Sequence, residues 1–126
     1  MTNYVGFGQA IGLYFKNYGN FSGRSSRSEY WWMYLANMIV SVVLNIFSYT
    51  SESMATVAFA LMVIWALATF IPGLALLIRR LHDTGKSGWY ILITLIPLVG
   101  PILMLVQVLK DSEGRNQWGP PPGETR

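Results

Sequence analysis

The chain has 126 residues, of which 52% are hydrophobic and only 12% charged, with a mean hydropathy of +0.37 and a net charge of +3. The charged share is about half of the quarter usual in soluble domains, which selects the membrane class, and so small and scattered a positive charge sets nucleic acid aside as a partner. The lack of cysteine excludes disulfides, thiolate metal sites and cysteine nucleophiles, and the length fits a single domain.

The pattern predicts an all-α integral membrane protein with three hydrophobic helices behind an N-terminal interfacial helix. Residues 4–18 come first: Phe7, Ala10, Ile11, Tyr14, Phe15 and Tyr18 recur at helical spacing with Lys16 and Asn17 opposite. Aromatics on one side and a lysine on the other suit a helix lying in the membrane interface. Gly6, Gly8 and Gly12 each cost it about 1 kcal/mol relative to alanine, so it is expected to form only when docked. No cleavable signal peptide is expected, because the first residues lack a basic start and a continuous apolar core.

Ser26 and Glu29 have the spacing of a capping box and start the next helix near Arg27. Residues 30–51 carry no charge, and at about 1.5 Å per residue they cross a hydrocarbon core of roughly 30 Å. Tyr30, Trp31, Trp32 and Tyr34 form an aromatic belt at the entry. Asn37, Ser41 and Asn45 recur on one face, the kind of stripe that meets another helix. After the polar turn at 51–53, residues 54–78 form a second uncharged run interrupted by Pro72-Gly73, where a bend is expected. The piece after the bend, 74–81, could lie along the inner interface and present Arg79 and Arg80 to headgroups. Residues 89–109 form a third run with Pro97, Gly100 and Pro101 in its middle. A broken span is the first expectation there. A re-entrant hairpin is the alternative, allowed where protein covers the open backbone. The tail, 110–126, reads as extended and mobile.

Between the second and third runs, residues 79–88 make a basic loop that holds Arg79, Arg80, Asp83 and Lys86, four of the fifteen charged residues, and His82, the one histidine. Lys16, Arg24 and Arg27 precede the first span, while the 51–53 turn has no basic residue. Lysine and arginine mark cytoplasmic segments. A multi-pass protein with a cytoplasmic N-terminus follows. The tail charges, Lys110, Arg115 and Arg126 against Asp111, Glu113 and Glu124, cancel and leave its side undecided.

Phe21-Ser22-Gly23-Arg24 with Arg27-Ser28-Glu29-Tyr30-Trp31, and then Arg79-Arg80-Leu81-His82-Asp83-Thr84-Gly85-Lys86-Ser87-Gly88-Trp89, resemble the two signature segments of the Domain of Unknown Function 805 family. The tail, with Gly114, Asn116, Gly119 and Pro120, resembles that family's ending. The resemblance implies a small protein of the bacterial plasma (inner) membrane and supplies no mechanism.

Gly85-Lys86-Ser87 looks like the end of a phosphate-binding loop, but position 80 is arginine where a glycine is required and a membrane run precedes it in place of a strand. His82 and Asp83 are neighbours, and neighbours point about 100° apart on a helix. No second histidine is present to complete a metal site. No cofactor, no metal and no enzymatic activity are therefore expected. The leading expectation is an interaction or accessory module. Its binding residues would be Arg24, Arg27, Glu29, Arg79, Arg80, His82, Asp83 and Lys86, facing anionic lipid headgroups or a protein partner. A homo-oligomer or a larger membrane complex is a possible setting. A small oligomeric transporter or channel, and a lipid-headgroup enzyme using His82 and Asp83, are the alternatives. The uncharged membrane runs speak against a pump.

Overall fold

The computed structural model describes residues 3–125, and among them it is helical, with no strand beyond one isolated bridge between Asn116 and Gly119. Arg126, counted above with the tail, lies outside the described residues. Helix α1 spans Phe7–Lys16, α2 Arg27–Ser48 and α3 Glu52–Asp83; a 3₁₀ helix over Gly88–Leu95, α4 over Val99–Leu109 and a last short turn, α5, over Pro122–Thr125 complete the chain.

Helix α1 is docked on protein. It buries Ala10 and Tyr14, and Phe7 meets Trp32 edge-on at 5.6 Å. The Tyr14 hydroxyl donates to the Thr69 carbonyl at 3.2 Å. Burial pushes its pKa up to about 12, so it remains a donor.

Both halves of the capping box form at the start of α2: Glu29 N–H donates to Ser26 Oγ at 3.4 Å, and Ser26 N–H to Glu29 Oε1 at 3.3 Å. Ser51 Oγ caps α3 through Met54 N–H at 3.1 Å. The 32 residues of α3 are about 48 Å long at 1.5 Å each. That exceeds a hydrocarbon core of roughly 30 Å, so the charged last turn, Arg79 to Asp83, has length to stand outside it. The helix assignment runs unbroken through Pro72-Gly73 to Asp83. Residues 74–81 are thus part of α3, not a separate interfacial piece. Proline removes the N–H that would bond Ala68; the bond from Tyr14 to Thr69 lies one residue beyond that carbonyl and ties α1 to α3 there. The loop expected over 79–88 begins only at Thr84, because Arg79, Arg80 and Asp83 find partners that let the helix continue. Gly85, at φ 83°, makes the turn out of it.

Helices α2 and α3 run antiparallel. Asn37 Oδ1 accepts from Trp65 Nε1 at 2.8 Å across the pair, whereas Asn45 bonds Ser41 O within its own helix. The outer faces are apolar and bare, with Phe59 70% and Leu67 72% exposed; both helices pass the length and hydropathy test for a membrane span, and α4 is a shorter apolar helix.

The third run does not form one long helix. Its two pieces are each about 16 Å long, from eight 3₁₀ residues and eleven α residues. They meet at a γ-turn. Val99 N–H donates to Pro97 O at 2.7 Å around Leu98, whose φ of 67° and ψ of −55° lie in a region side chains avoid. A Cβ on Gly100 would sit 1.9 Å from the Ile93 carbonyl oxygen, so only glycine lets the second piece fold back this closely. Both ends return to one place. Gly88 lies against Ile78, while Trp31 Nε1 donates to Val108 O at 3.0 Å and Arg27 Nη1 to Leu109 O at 3.2 Å.

The tail differs from the extended, mobile segment expected. Glu113 N–H donates to Asp83 O at 2.9 Å, Asn116 Nδ2 to His82 O at 2.9 Å, and Gly123 N–H to Asn3 Oδ1 at 2.8 Å. Its polarity reads as disorder, but its amides and carbonyls complete a buried cluster of charge.

Candidate functional site

The cluster forms where the segment before α2, the last turn of α3, and the tail converge. Asp83, with a fully buried side chain, is its centre. One carboxylate oxygen receives Arg24 Nε at 3.1 Å; the other receives Arg80 Nη1 and the Ser112 hydroxyl. Arg79, four residues before Asp83 and thus within reach along the helix, forms no ion pair with it. Burial works to raise the Asp83 pKa, opposed by the Ser112 hydroxyl and then by the Arg80 and Arg24 guanidiniums.

Arg24 is the clasp. Its side chain is 2% exposed and spends its remaining donors on backbone: Gly114 O and Gly119 O, each at 2.9 Å, Asp83 O at 3.2 Å, and Glu113 O. Arg80 donates to Ser25 O at 3.2 Å and to Lys110 O. Arg79 reaches the other way, to Ser25 Oγ at 2.9 Å, Asn17 O at 3.0 Å and Asn20 O at 2.7 Å, and its own carbonyl accepts from Ser25 N–H at 3.1 Å. Guanidinium suits this work, because five donors in a planar fork satisfy several carbonyls at once. Arg79 Nη2 and Arg80 Nε are buried donors without a protein acceptor.

His82 belongs to the same cluster and does not pair with Asp83. Its Nδ1 lies 2.9 Å from Gly23 O, which can only accept, so the ring carries its proton there. The ring stacks on Trp118 with centroids 4.4 Å apart and planes 6° from parallel. Burial lowers the His82 pKa, against a smaller opposing effect of the Gly23 carbonyl. Among the described residues no three His, Cys, Asp or Glu side chains converge as a metal set.

Of the eight residues singled out from sequence, Arg24, Arg79, Arg80, His82 and Asp83 are brought together and buried. Glu29 is buried in the cap of α2 and acts electrostatically on Arg79. Arg27 and Lys86 stand apart: Arg27 is exposed, and the Lys86 ammonium sits 5.9 Å above the Tyr90 ring. Sequence reasoning missed Ser25, Ser112 and Trp118, and missed that the tail takes part. The only signal for the tail was the resemblance of its Gly114, Asn116 and Gly119 to a family ending.

A family model described as "Protein of unknown function (DUF805)" matches residues 18–120. The chain is 40% identical over 108 residues to inner membrane protein YhaI of Escherichia coli (strain K12), covering 85% of this chain and 89% of that protein. It is 37% identical over 109 residues to inner membrane protein YhaH of the same organism, covering 85% and 90%. No solved structure matches the chain.

Proposed function

The chain belongs to the DUF805 family, and from that premise we propose that it is a non-enzymatic accessory or interaction module of the bacterial inner membrane. Helices α2 and α3 cross the bilayer. The 88–109 segment is a re-entrant hairpin, and the N-terminus, basic turn and tail share the cytoplasmic side as one platform. Support for the hairpin comes from its ends, which both bond near the last turn of α3, and from its tip. Pro97 and Pro101 carry no N–H, while those of Ile96, Val99 and Gly100 are bonded locally. Few bare donors then enter the hydrocarbon.

The single observation that carries the reading is the consumption of Arg24, Arg79 and Arg80 by carbonyls of the protein itself. Arginines spent in this way hold a surface in shape. The lysines left on that surface, Lys16, Lys86 and Lys110, are the ones that meet anionic headgroups or a protein partner, each contributing about 1 kcal/mol near an anionic membrane. Photo-crosslinking in cells from position 87 tests this. The expected result is one recurrent adduct, to a protein or an anionic lipid, that weakens in Lys86→Gln while membrane insertion is unchanged. Solute flux through liposomes holding the purified protein would overturn it in favour of an oligomeric channel or transporter.

A further inference from the structure

At the foot of α2 a groove of about 550 Å³ has walls of Trp31, Trp32, Leu35 and Leu109, with Tyr4, Arg27 and Ser28 at its mouth. Both indole N–H groups are tied to the protein, Trp31 to Val108 O at 3.0 Å and Trp32 to Val5 O at 2.8 Å. The rings are thereby fixed, and the groove wall they contribute is apolar. Tyr4, Arg27 and Ser28 also line a second, polar pocket of about 320 Å³, whose lining includes Asp111 and Ser112. The two spaces adjoin, with Tyr4, Arg27 and Ser28 lining both. One is apolar, and the other carries one cation and one anion.

Arg27 and Asp111 do not form an ion pair. Among the described residues the ion pairs within 4.0 Å are those of Arg24 and Arg80 with Asp83. Arg27 gives Nη1 to Leu109 O, and Asp111 accepts the N–H of Ser112 at 2.8 Å; both are exposed. Separated opposite charges on one small pocket select against a purely anionic ligand, which Asp111 repels, and against a purely cationic one, which Arg27 repels. They complement a head that carries both charges. The neighbouring groove adds a requirement for a hydrocarbon chain, and its aromatic walls sit in the belt where headgroups meet acyl chains.

The geometry points to a site for a zwitterionic phospholipid bearing a primary ammonium, with its phosphate on Arg27, its ammonium on Asp111, and one acyl chain along Trp31, Trp32 and Leu35. This rests on the reading of the chain as a membrane protein with the foot of α2 at the cytoplasmic interface. The test is native mass spectrometry of the full chain released from nanodiscs of equal phosphatidylethanolamine and phosphatidylglycerol. Phosphatidylethanolamine should be retained over phosphatidylglycerol on the order of tenfold, the factor one charge-assisted hydrogen bond carries. Asp111→Asn should remove that preference, and Arg27→Gln should lower retention of both lipids. Glu52→Gln, in the first turn of α3 at the far end of the helix pair, should change nothing. Both test positions are exposed, so their variants keep the fold. Equal retention by the unaltered protein (annular lipid only), or a preference that survives Asp111→Asn, overturns the site. The platform reading fails on a different readout, solute flux, so the two failures are distinguishable.

Discussion

Arg24 joins carbonyls at positions 83, 113, 114 and 119 to one carboxylate, and no window of sequence contains that set. Its charge made it visible, and Ser26 with Glu29 announced the helix start beside it. Burial was not visible, since an arginine that faces carbonyls and one that faces phosphate have the same neighbours in sequence. Removing one partner of a buried ion pair costs about 3–5 kcal/mol. Arg24→Ala should therefore release the tail: limited proteolysis in detergent should cut within 110–119 at a protease level that leaves the unaltered chain intact. His82 gives a second prediction. Burial holds its folded pKa below the ordinary 6.5, so as pH falls the unfolded chain binds the proton first. The stability contributed by neutral His82 is present above 6.5 and lost as pH falls through the lower folded value. Thermal midpoints between pH 8 and pH 5 should fall more for the unaltered chain than for His82→Phe, which keeps a ring against Trp118 and cannot titrate.

The helices were legible where the period and caps were strong. α1 lies inside the expected 4–18 segment, and α2 begins at its capping box. The end of α3 was misread because basic residues in sequence look like a loop, whereas here both guanidiniums reach carbonyls of the protein while the backbone stays helical. The prolines of the third run signalled a break but not the direction in which the chain leaves it, which depends on the contact of Gly100 with the 3₁₀ segment. Gly100→Ala should open that turn at a cost of about 1–3 kcal/mol, since backbone on the other side cannot rotate away. Gly12→Ala is the contrast. It sits in α1 with nothing within 4 Å of an added Cβ, and should stabilise by about 0.5–1 kcal/mol. Thermal unfolding of the two variants in the same detergent should move in opposite directions.

At the scale of the molecule, membrane class was legible in composition, and the distribution of lysine and arginine carries the expectation that the basic segments are cytoplasmic. The side of the tail was not legible, because its charges cancel. What the contacts show is that the tail lies on the same side as the last turn of α3, since Ser112, Glu113 and Asn116 all bond to it. The absence of cysteine makes the topology directly measurable with single-cysteine variants. With a membrane-impermeant maleimide added to intact spheroplasts, Glu52→Cys should label, while Lys16→Cys and Gln117→Cys should label only after lysis. Labelling of Gln117→Cys in intact cells would show that the third run spans.

The dependence of Arg24 and Arg80 on carbonyls at 110–119 also sets an order in time. During synthesis the two long helices are translated before Lys110, Glu113, Gly114 and Gly119 exist to receive those guanidiniums. Until then, Arg79 already has its acceptors at Asn17, Asn20 and Ser25, while Arg24 and Arg80 share Asp83 and leave the rest of their hydrogen bonding to water. Residues made late thus close a loop made early, so a nascent chain stalled before Gly119 holds both long helices and still lacks an acceptor that fixes Arg24.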